Sequence, residues 1–310
     1  MRIAFVFPGQ GSQYVGMGRD LWERYPVVRS LFEEASEVLG FDLVSLCFEG
    51  PEEKLRLTEN TQPAIFTVSV AAWRVLREEI GLEPYLVAGH SLGEYTALVA
   101  SGALSFGEGV HLVRMRGKFM QGAVPVGEGG MAAVIGLGRD RVKELCERAA
   151  DKEVLVPANF NSPDQIVISG HLSAVNRAIP MAKEMGAKRA VKLEVSAPFH
   201  SPLMESAGKR LAEELKKVQI KELKIPVVTN VEAEPNSDPS RVKELLVRQV
   251  SSPVLWEDSV RKMVQMGTEA FVEIGPKRVL CGLLRKIAPE KEALNFEVAD
   301  DLHKLKEVLT

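Results

Sequence analysis

The run Tyr85-Leu86-Val87-Ala88-Gly89-His90-Ser91-Leu92-Gly93-Glu94 constrains this chain more than any other segment. Its apolar start reads as a short buried strand, a Gly-x-Ser-x-Gly pentad follows at once, and Tyr95-Thr-Ala-Leu-Val-Ala-Ser-Gly102 reads as a helix. Strand, glycine-flanked turn and helix in that order make a nucleophile elbow. Without a Cβ at Gly89 or Gly93, strand and helix can crowd a strained turn that lifts the Ser91 hydroxyl clear, with the helix N-terminus aimed at it. A serine so placed forms acyl intermediates. Ser91-Leu-Gly-Glu94 also fits a capping box, in which Glu94 reaches back to the serine. A capping box alone asks for neither flanking glycine, and the two readings are compatible.

The pattern around this elbow is that of an α/β protein. A strand at 2–7 leads through a glycine loop to a helix at about 18–39, and a long helix at 63–80 is stopped by Gly81. The strand and helix around Ser91 follow, then a helix near 107–121. Such alternation predicts a mainly parallel sheet covered by helices. After Gly127 the order becomes strand 131–137, helix 140–150, strands 154–160 and 165–169, helix 173–185 and strand 189–195. This βαββαβ order is ferredoxin-like and compact enough for a small inserted domain. Beyond Pro198 come a helix from Pro202, a strand at 226–230, helices at 240–250 and 254–266, a strand at 270–274, and helices at 278–287 and 300–309. The expected division is a discontinuous large α/β domain, 1–127 and 197–310, interrupted by a ferredoxin-like domain at 128–196. A cleft between two such domains is a natural ligand site.

Other chemistry is sparse. The net charge of −3 gives no reason to expect nucleic acid, and no apolar run reaches transmembrane length. The apolar start at residues 1–8 is too short for a signal peptide and reads as the first core strand. Cys47, Cys146 and Cys281 are far apart and suit buried thiols in a reducing cytoplasm. The five histidines form no metal-binding pair, so no metal is expected. His200, in Ala197-Pro-Phe-His-Ser201, lies on the proline-stiffened crossing back to the large domain and is the candidate general base. His111, His171 and His303 have weaker claims.

Arg116 falls in the helical stripe Val113, Arg116, Gly117, Met120, whereas Arg114 faces the solvated side. An arginine on an apolar face needs an anion, supplied either by an internal carboxylate or by a substrate's. The loop Pro8-Gly-Gln-Gly-Ser-Gln13 is not a nucleotide fingerprint. Tyr14 stands where the dinucleotide motif needs glycine, and Met17 where a P-loop needs lysine. Gln10 is then a candidate oxyanion donor, or part of a tight turn.

Taken together, Phe7-Pro-Gly-Gln-Gly-Ser-Gln13, Thr61-Gln-Pro-Ala64, Gly89-His-Ser-Leu-Gly-Glu94, Arg114-Met-Arg-Gly117 and Ala197-Pro-Phe-His-Ser201 resemble, in order and spacing, the malonyl-CoA:acyl-carrier-protein transacylases of bacterial fatty-acid synthesis. The resemblance covers essentially the whole chain. It implies an α/β-hydrolase-like large domain with a ferredoxin-like insert. Ser91 would be the acylated nucleophile, His200 its base, and the backbone N–H groups of Gln10 and Leu92 the oxyanion hole. Arg116 would hold the malonyl carboxylate. The backbone carbonyl of Gln249 would orient His200 in place of an acidic residue, Phe199 would favour malonyl over methylmalonyl, and His90 would line the substrate site.

The substrates implied are malonyl-CoA and the phosphopantetheine thiol of an acidic acyl carrier protein, with no bound cofactor, no membrane or nucleic-acid partner, a cytoplasmic location and a monomeric state. Lys183, Lys188, Arg189, Lys192, Lys277, Arg278, Arg285 and Lys286 are the basic residues expected to meet the carrier. A serine thioesterase or esterase, a methylmalonyl or polyketide extender acyltransferase, and a non-catalytic carrier-binding protein are the competing readings.

Overall fold

The computed structural model describes residues 1–195 and 197–309. Among them the strands in chain order are β1 (Ile3–Phe7), β2 (Leu86–Gly89), β3 (Gly129–Ile135), β4 (Leu155–Ser162), β5 (Gln165–His171), β6 (Arg189–Lys192), β7 (Val227–Val228), β8 (Pro235–Asn236), β9 (Ala270–Ile274) and β10 (Glu292–Phe296). They make a mixed α/β architecture of two sheets. The larger runs β10-β9-β1-β2-β7-β8, parallel except for the β7–β8 pair.

Its central strands are buried on both faces, as parallel strands under helices must be. Ile3, Phe5 and Phe7 point into the core shared with the helices Pro26–Leu39, Thr58–Ile80 and Phe106–Gln121. Ala4 and Val6 point the other way, onto Trp256, Val260, Met263 and Leu280. The smaller sheet, β4-β5-β3-β6, is wholly antiparallel. The helices Arg139–Ala150 and Leu172–Glu184 pack on one face through Val142, Leu145, Val175 and Ala178. Its other face, with Met131 and Val167, turns toward the large sheet.

Several expected boundaries move. The helix expected at 18–39 is broken into Arg19–Arg24 and Pro26–Leu39, because Pro26 starts a new first turn. The helix expected from Pro63 starts at Thr58 and carries Pro63 inside. A proline there leaves the Glu59 carbonyl without its helical N–H, and Arg114 Nη1 donates to that oxygen at 2.7 Å. Arg114, expected to be solvated, is therefore partly buried and also bonds Asn60 Oδ1.

The helices Leu43–Phe48 and Glu52–Leu55, and the edge strand β10, were not signalled by the sequence pattern. The strand expected at 226–230 ends at Val228, which frees Asn230. Of the expected domain limits, Ser196 and Thr310 lie outside the described residues. No helix among the described residues is long and apolar enough to cross a membrane.

Candidate active site

The site forms at the carboxyl edge of the parallel strands, where open α/β sheets place their ligands. The loop after β1 brings Gln10, the turn after β2 brings Ser91, and the chain leaving β7 brings Asn230. The turn at Ser91 is forced by its neighbours. A Cβ on Gly89 would sit 1.9 Å from the Gly93 carbonyl carbon, and one on Gly93 would sit 2.1 Å from the Phe7 oxygen. Ser91 itself takes φ 51, and His200 takes φ 58, left-handed conformations that side-chain-bearing residues rarely hold without surrounding support.

Part of that support is Asn230, whose Oδ1 accepts from the Ser91 N–H at 2.7 Å while its Nδ2 donates to the Gly89 oxygen at 2.7 Å. The capping box expected from Ser91 and Glu94 does not form. Leu92 occupies the cap position of the helix Gly93–Ala100 without a side-chain bond. The left-handed Ser91 turns its N–H to Asn230, and the buried Glu94 carboxylate instead accepts from the Asn230 N–H at 3.1 Å and from Gln249 Nε2 at 2.8 Å.

Ser91 Oγ and His200 Nε2 are 2.8 Å apart. His200 Nδ1 lies 2.9 Å from the Gln249 backbone oxygen, which can only accept, so Nδ1 carries the proton and Nε2 is free to accept from the serine hydroxyl. His200 is 3% exposed. Burial foremost, then the nearby Arg116 charge, lowers its pKa from 6.5 to about 3, against the hydrogen bond to Gln249. The imidazole is thus neutral and able to act as a base at neutral pH.

Arg116 is 1% exposed. Its Nη1 donates to Gln62 Oε1 at 2.9 Å, and its Nη2 to Gln249 Oε1 at 2.9 Å and Ser91 Oγ at 3.0 Å. The ring of Tyr95 lies 5.5 Å from the guanidinium carbon. Among the described residues no carboxylate forms an ion pair with Arg116. Amide oxygens and the serine hydroxyl hold it directly, and its nearest anion, Glu94, is reached only through the Gln249 amide.

The cleft has a volume of about 470 Å³ and lies between the two sheets, with Gln10, Ser91, Leu92, Arg116, Phe199 and His200 on one side and β3, β4 and β5 residues on the other. The backbone N–H groups of Gln10 and Leu92 make no hydrogen bond among the described residues and both residues line the cleft beside Ser91. His90 Nε2 and Asn161 Oδ1, on β4, are 2.8 Å apart, and burial lowers the pKa of the His90 ring. Phe199 is buried at the cleft wall.

Gln10, His90, Ser91, Leu92, Arg116, Phe199 and His200 line this cleft, and the buried Gln249 contacts His200 and Arg116 from behind it. The other histidines do not line it: His111 pairs with Glu214, His303 with Glu307, and His171 Nδ1 accepts from the Val154 N–H. Three basic residues expected to meet a carrier are engaged internally. Lys277 Nζ bonds the Gly11 and Gln13 oxygens, Arg278 pairs with Asp301, and Lys286 pairs with Asp164.

Sequence reasoning assigned no role to Gln62, Asn161 or Asn230. Gln62 carried a signal, since it stands in Thr61-Gln-Pro-Ala64 and enters the site from the helix that faces Arg116. Asn230 had only its place near a strand's carboxyl end, and Asn161 had none.

Comparison with known proteins gives a consistent set of relatives. The acyl transferase domain family matches residues 4–306. The malonyl CoA-acyl carrier protein transacylase of Bacillus subtilis is 49% identical over 287 residues, covering 92% of this chain and 90% of that protein. The solved malonyl CoA-acyl carrier protein transacylase of Coxiella burnetii superposes with a TM-score of 0.98 at 44% identity, covering 100% of this chain and 98% of the other. A structure of a type II PKS acyl-carrier protein in complex with its malonyl-transacylase matches with a TM-score of 0.97 at 44% identity and 99% coverage of both chains.

Proposed function

This chain belongs to the acyl transferase family, and on that premise we infer that it moves malonyl groups from malonyl-CoA to the thiol of acyl carrier protein by ping-pong transfer in fatty-acid synthesis. The observation that carries the reading is a neutral serine–histidine pair beneath a buried arginine that has no carboxylate partner. A thioester bearing a free carboxylate matches both halves of that arrangement.

The proposed first half-reaction starts with malonyl-CoA entering the cleft, its carboxylate on the Arg116 guanidinium. A planar fork of donors suits a carboxylate bidentately. His200 Nε2 takes the Ser91 proton as Oγ attacks the thioester carbonyl. The N–H groups of Gln10 and Leu92 receive the tetrahedral oxyanion; one such donor is worth about 3–4 kcal/mol in the transition state. The C–S bond then breaks, His200 returns its proton to the departing sulfur, and CoA leaves as a thiol. In the second half the carrier's phosphopantetheine thiol gives its proton to His200 and attacks the malonyl-serine ester, the acyl–Oγ bond breaks, and His200 returns the proton to Ser91 Oγ. One thioester replaces another, so the exchange runs in both directions. The chemistry calls for no cofactor.

In the same reading, Gln249 acts through its backbone oxygen by holding the His200 tautomer. Phe199 narrows the acyl pocket in favour of malonyl, and His90 with Asn161 shapes the cleft wall. The two sheets support a division into a hydrolase-like large domain, 1–127 and 197–310, and a ferredoxin-like domain at 128–196, whose β4-β5-β3-β6 order suits that fold. We place the enzyme in the cytoplasm as a monomer. Arg116 also weighs against a general esterase, which has no use for a buried cation beside its serine.

Intact-mass measurement after mixing with malonyl-CoA tests the function. The expected result is a malonyl adduct on Ser91 that disappears when acyl carrier protein is added, with malonyl-carrier appearing. Free malonate would mark a hydrolase, and no adduct a binding protein.

A further inference from the structure

Glu94 lies outside the chemistry derived above, yet it is 2% exposed and sits beneath the site. Its Oε2 accepts from Gln249 Nε2 at 2.8 Å, and that same nitrogen donates to the Ser91 backbone oxygen at 2.9 Å. Both N–H bonds of the Gln249 amide nitrogen are thereby directed at acceptor oxygens. The amide's other end, Oε1, accepts from Arg116 Nη2 at 2.9 Å. Rotating the amide by 180° would set its oxygen against the Glu94 and Ser91 oxygens and its NH₂ against a guanidinium, two donor-to-donor or acceptor-to-acceptor contacts in a buried place.

We propose that Glu94 is a positioning residue for carboxylate recognition: by fixing which end of the Gln249 amide faces Arg116, it holds the guanidinium over the acyl pocket. Without an acceptor at position 94, one N–H of Gln249 loses its partner, the amide keeps only the Ser91 oxygen and Arg116 itself to hold its sense, and the turned form becomes accessible. Its NH₂ would then repel Arg116, and the guanidinium would leave the place where a malonyl carboxylate meets it. The Ser91–His200 pair is held by the Asn230 side chain, itself tied to the Gly89 oxygen, and by the Gln249 backbone oxygen, and Glu94 touches this part only through the Asn230 backbone N–H. Losing the Glu94 acceptor should therefore impair choice of the acyl group more than reactivity of the serine. The inference rests on the transacylase reading of the same site.

The test compares the native enzyme, Glu94→Met and Glu94→Gln in three assays: malonyl-CoA and acetyl-CoA transfer, each as kcat and KM, and labelling of Ser91 by an uncharged sulfonyl fluoride. Glu94→Gln retains an oxygen that can accept from Gln249. The expected result for Glu94→Met is a malonyl-over-acetyl preference at least tenfold lower, a rise in KM for malonyl-CoA, and Ser91 labelling within about threefold of native. Glu94→Gln should restore the preference to within about threefold. An unchanged preference in Glu94→Met, or parallel loss of malonyl transfer, acetyl transfer and labelling, overturns the proposal. If Glu94→Met does not fold, Glu94→Gln decides alone, and a tenfold loss of preference there overturns it. Failure of the native enzyme to take malonyl from malonyl-CoA would instead defeat the functional reading beneath it.

Discussion

His200 Nδ1 meets the backbone oxygen of Gln249 at 2.9 Å, so the base of this site is oriented by a peptide group. A backbone carbonyl fixes the tautomer as a carboxylate would, but it brings no negative charge to stabilise an imidazolium. With Arg116 close by, the imidazole is poised to pass a proton on quickly and not to keep it.

Replacing the base should remove most of the rate while leaving substrate binding. We expect His200→Ala to lower kcat for malonyl transfer by about a thousandfold, the usual scale for a general base, with little change in malonyl-CoA affinity. Single-turnover formation of the Ser91 adduct, followed by mass, measures it.

The pH dependence follows from the depressed His200 pKa, about 3 against an ordinary 6.5. Labelling of Ser91 by an uncharged sulfonyl fluoride should show no inflection near the ordinary histidine value and fall only below a pH of about 5. For stability, the unfolded chain takes up this proton first as pH falls. The contribution of His200 is complete above 6.5 and drains away toward its folded value. Glu94 has the opposite sign: burial raises its pKa from 4.5 to about 7, so its contribution is complete below 4.5 and is lost as pH rises through 7. Urea unfolding of native and Glu94→Gln protein between pH 5 and 8 separates the two: the native enzyme should lose stability relative to the variant as pH rises.

Arg116→Ala should lower kcat/KM for malonyl-CoA by about a hundredfold or more, the scale of two lost charge-assisted hydrogen bonds, and raise the relative acceptance of acetyl-CoA. Paired kinetics with the two thioesters check this. Malonyl transfer left intact, with acetyl still refused, would contradict the role given to the guanidinium.

Gly93→Ala tests the elbow's geometry. The added Cβ would lie 2.1 Å from the Phe7 oxygen, a backbone atom in the central strand that cannot step aside. Overpacking at such a point should destabilise the fold by about 2–3 kcal/mol or more and displace Ser91. A lower urea midpoint with an unchanged slope, together with lost adduct formation, is the expected outcome.

What the sequence alone determined was local. The apolar run ending at Ala88 and the paired glycines specified a strand, a sharp turn and a helix, because backbone sterics and side-chain periodicity act over a few residues. The spacing of Val113, Arg116 and Met120 placed Arg116 on the inner face of its helix for the same reason. The roles expected of Gln249 and Phe199 came only through resemblance to a family, since nothing in their own neighbourhoods signals them, whereas Gln10 stood out by its glycine loop. Tertiary structure decided the rest. Ser91 meets His200 across 109 residues of chain, Gln249 across 158 and Asn230 across 139. It also surrounded Arg116 with glutamine oxygens and gave it no direct carboxylate partner among the described residues. It drew Glu94 away from capping its own helix, because Ser91 had to adopt a left-handed turn and the nearest unsatisfied donors belonged to Asn230 and Gln249. Such pairings depend on which strand ends are neighbours in the sheet, and the order of strands in a sheet is set by the packing of the whole chain.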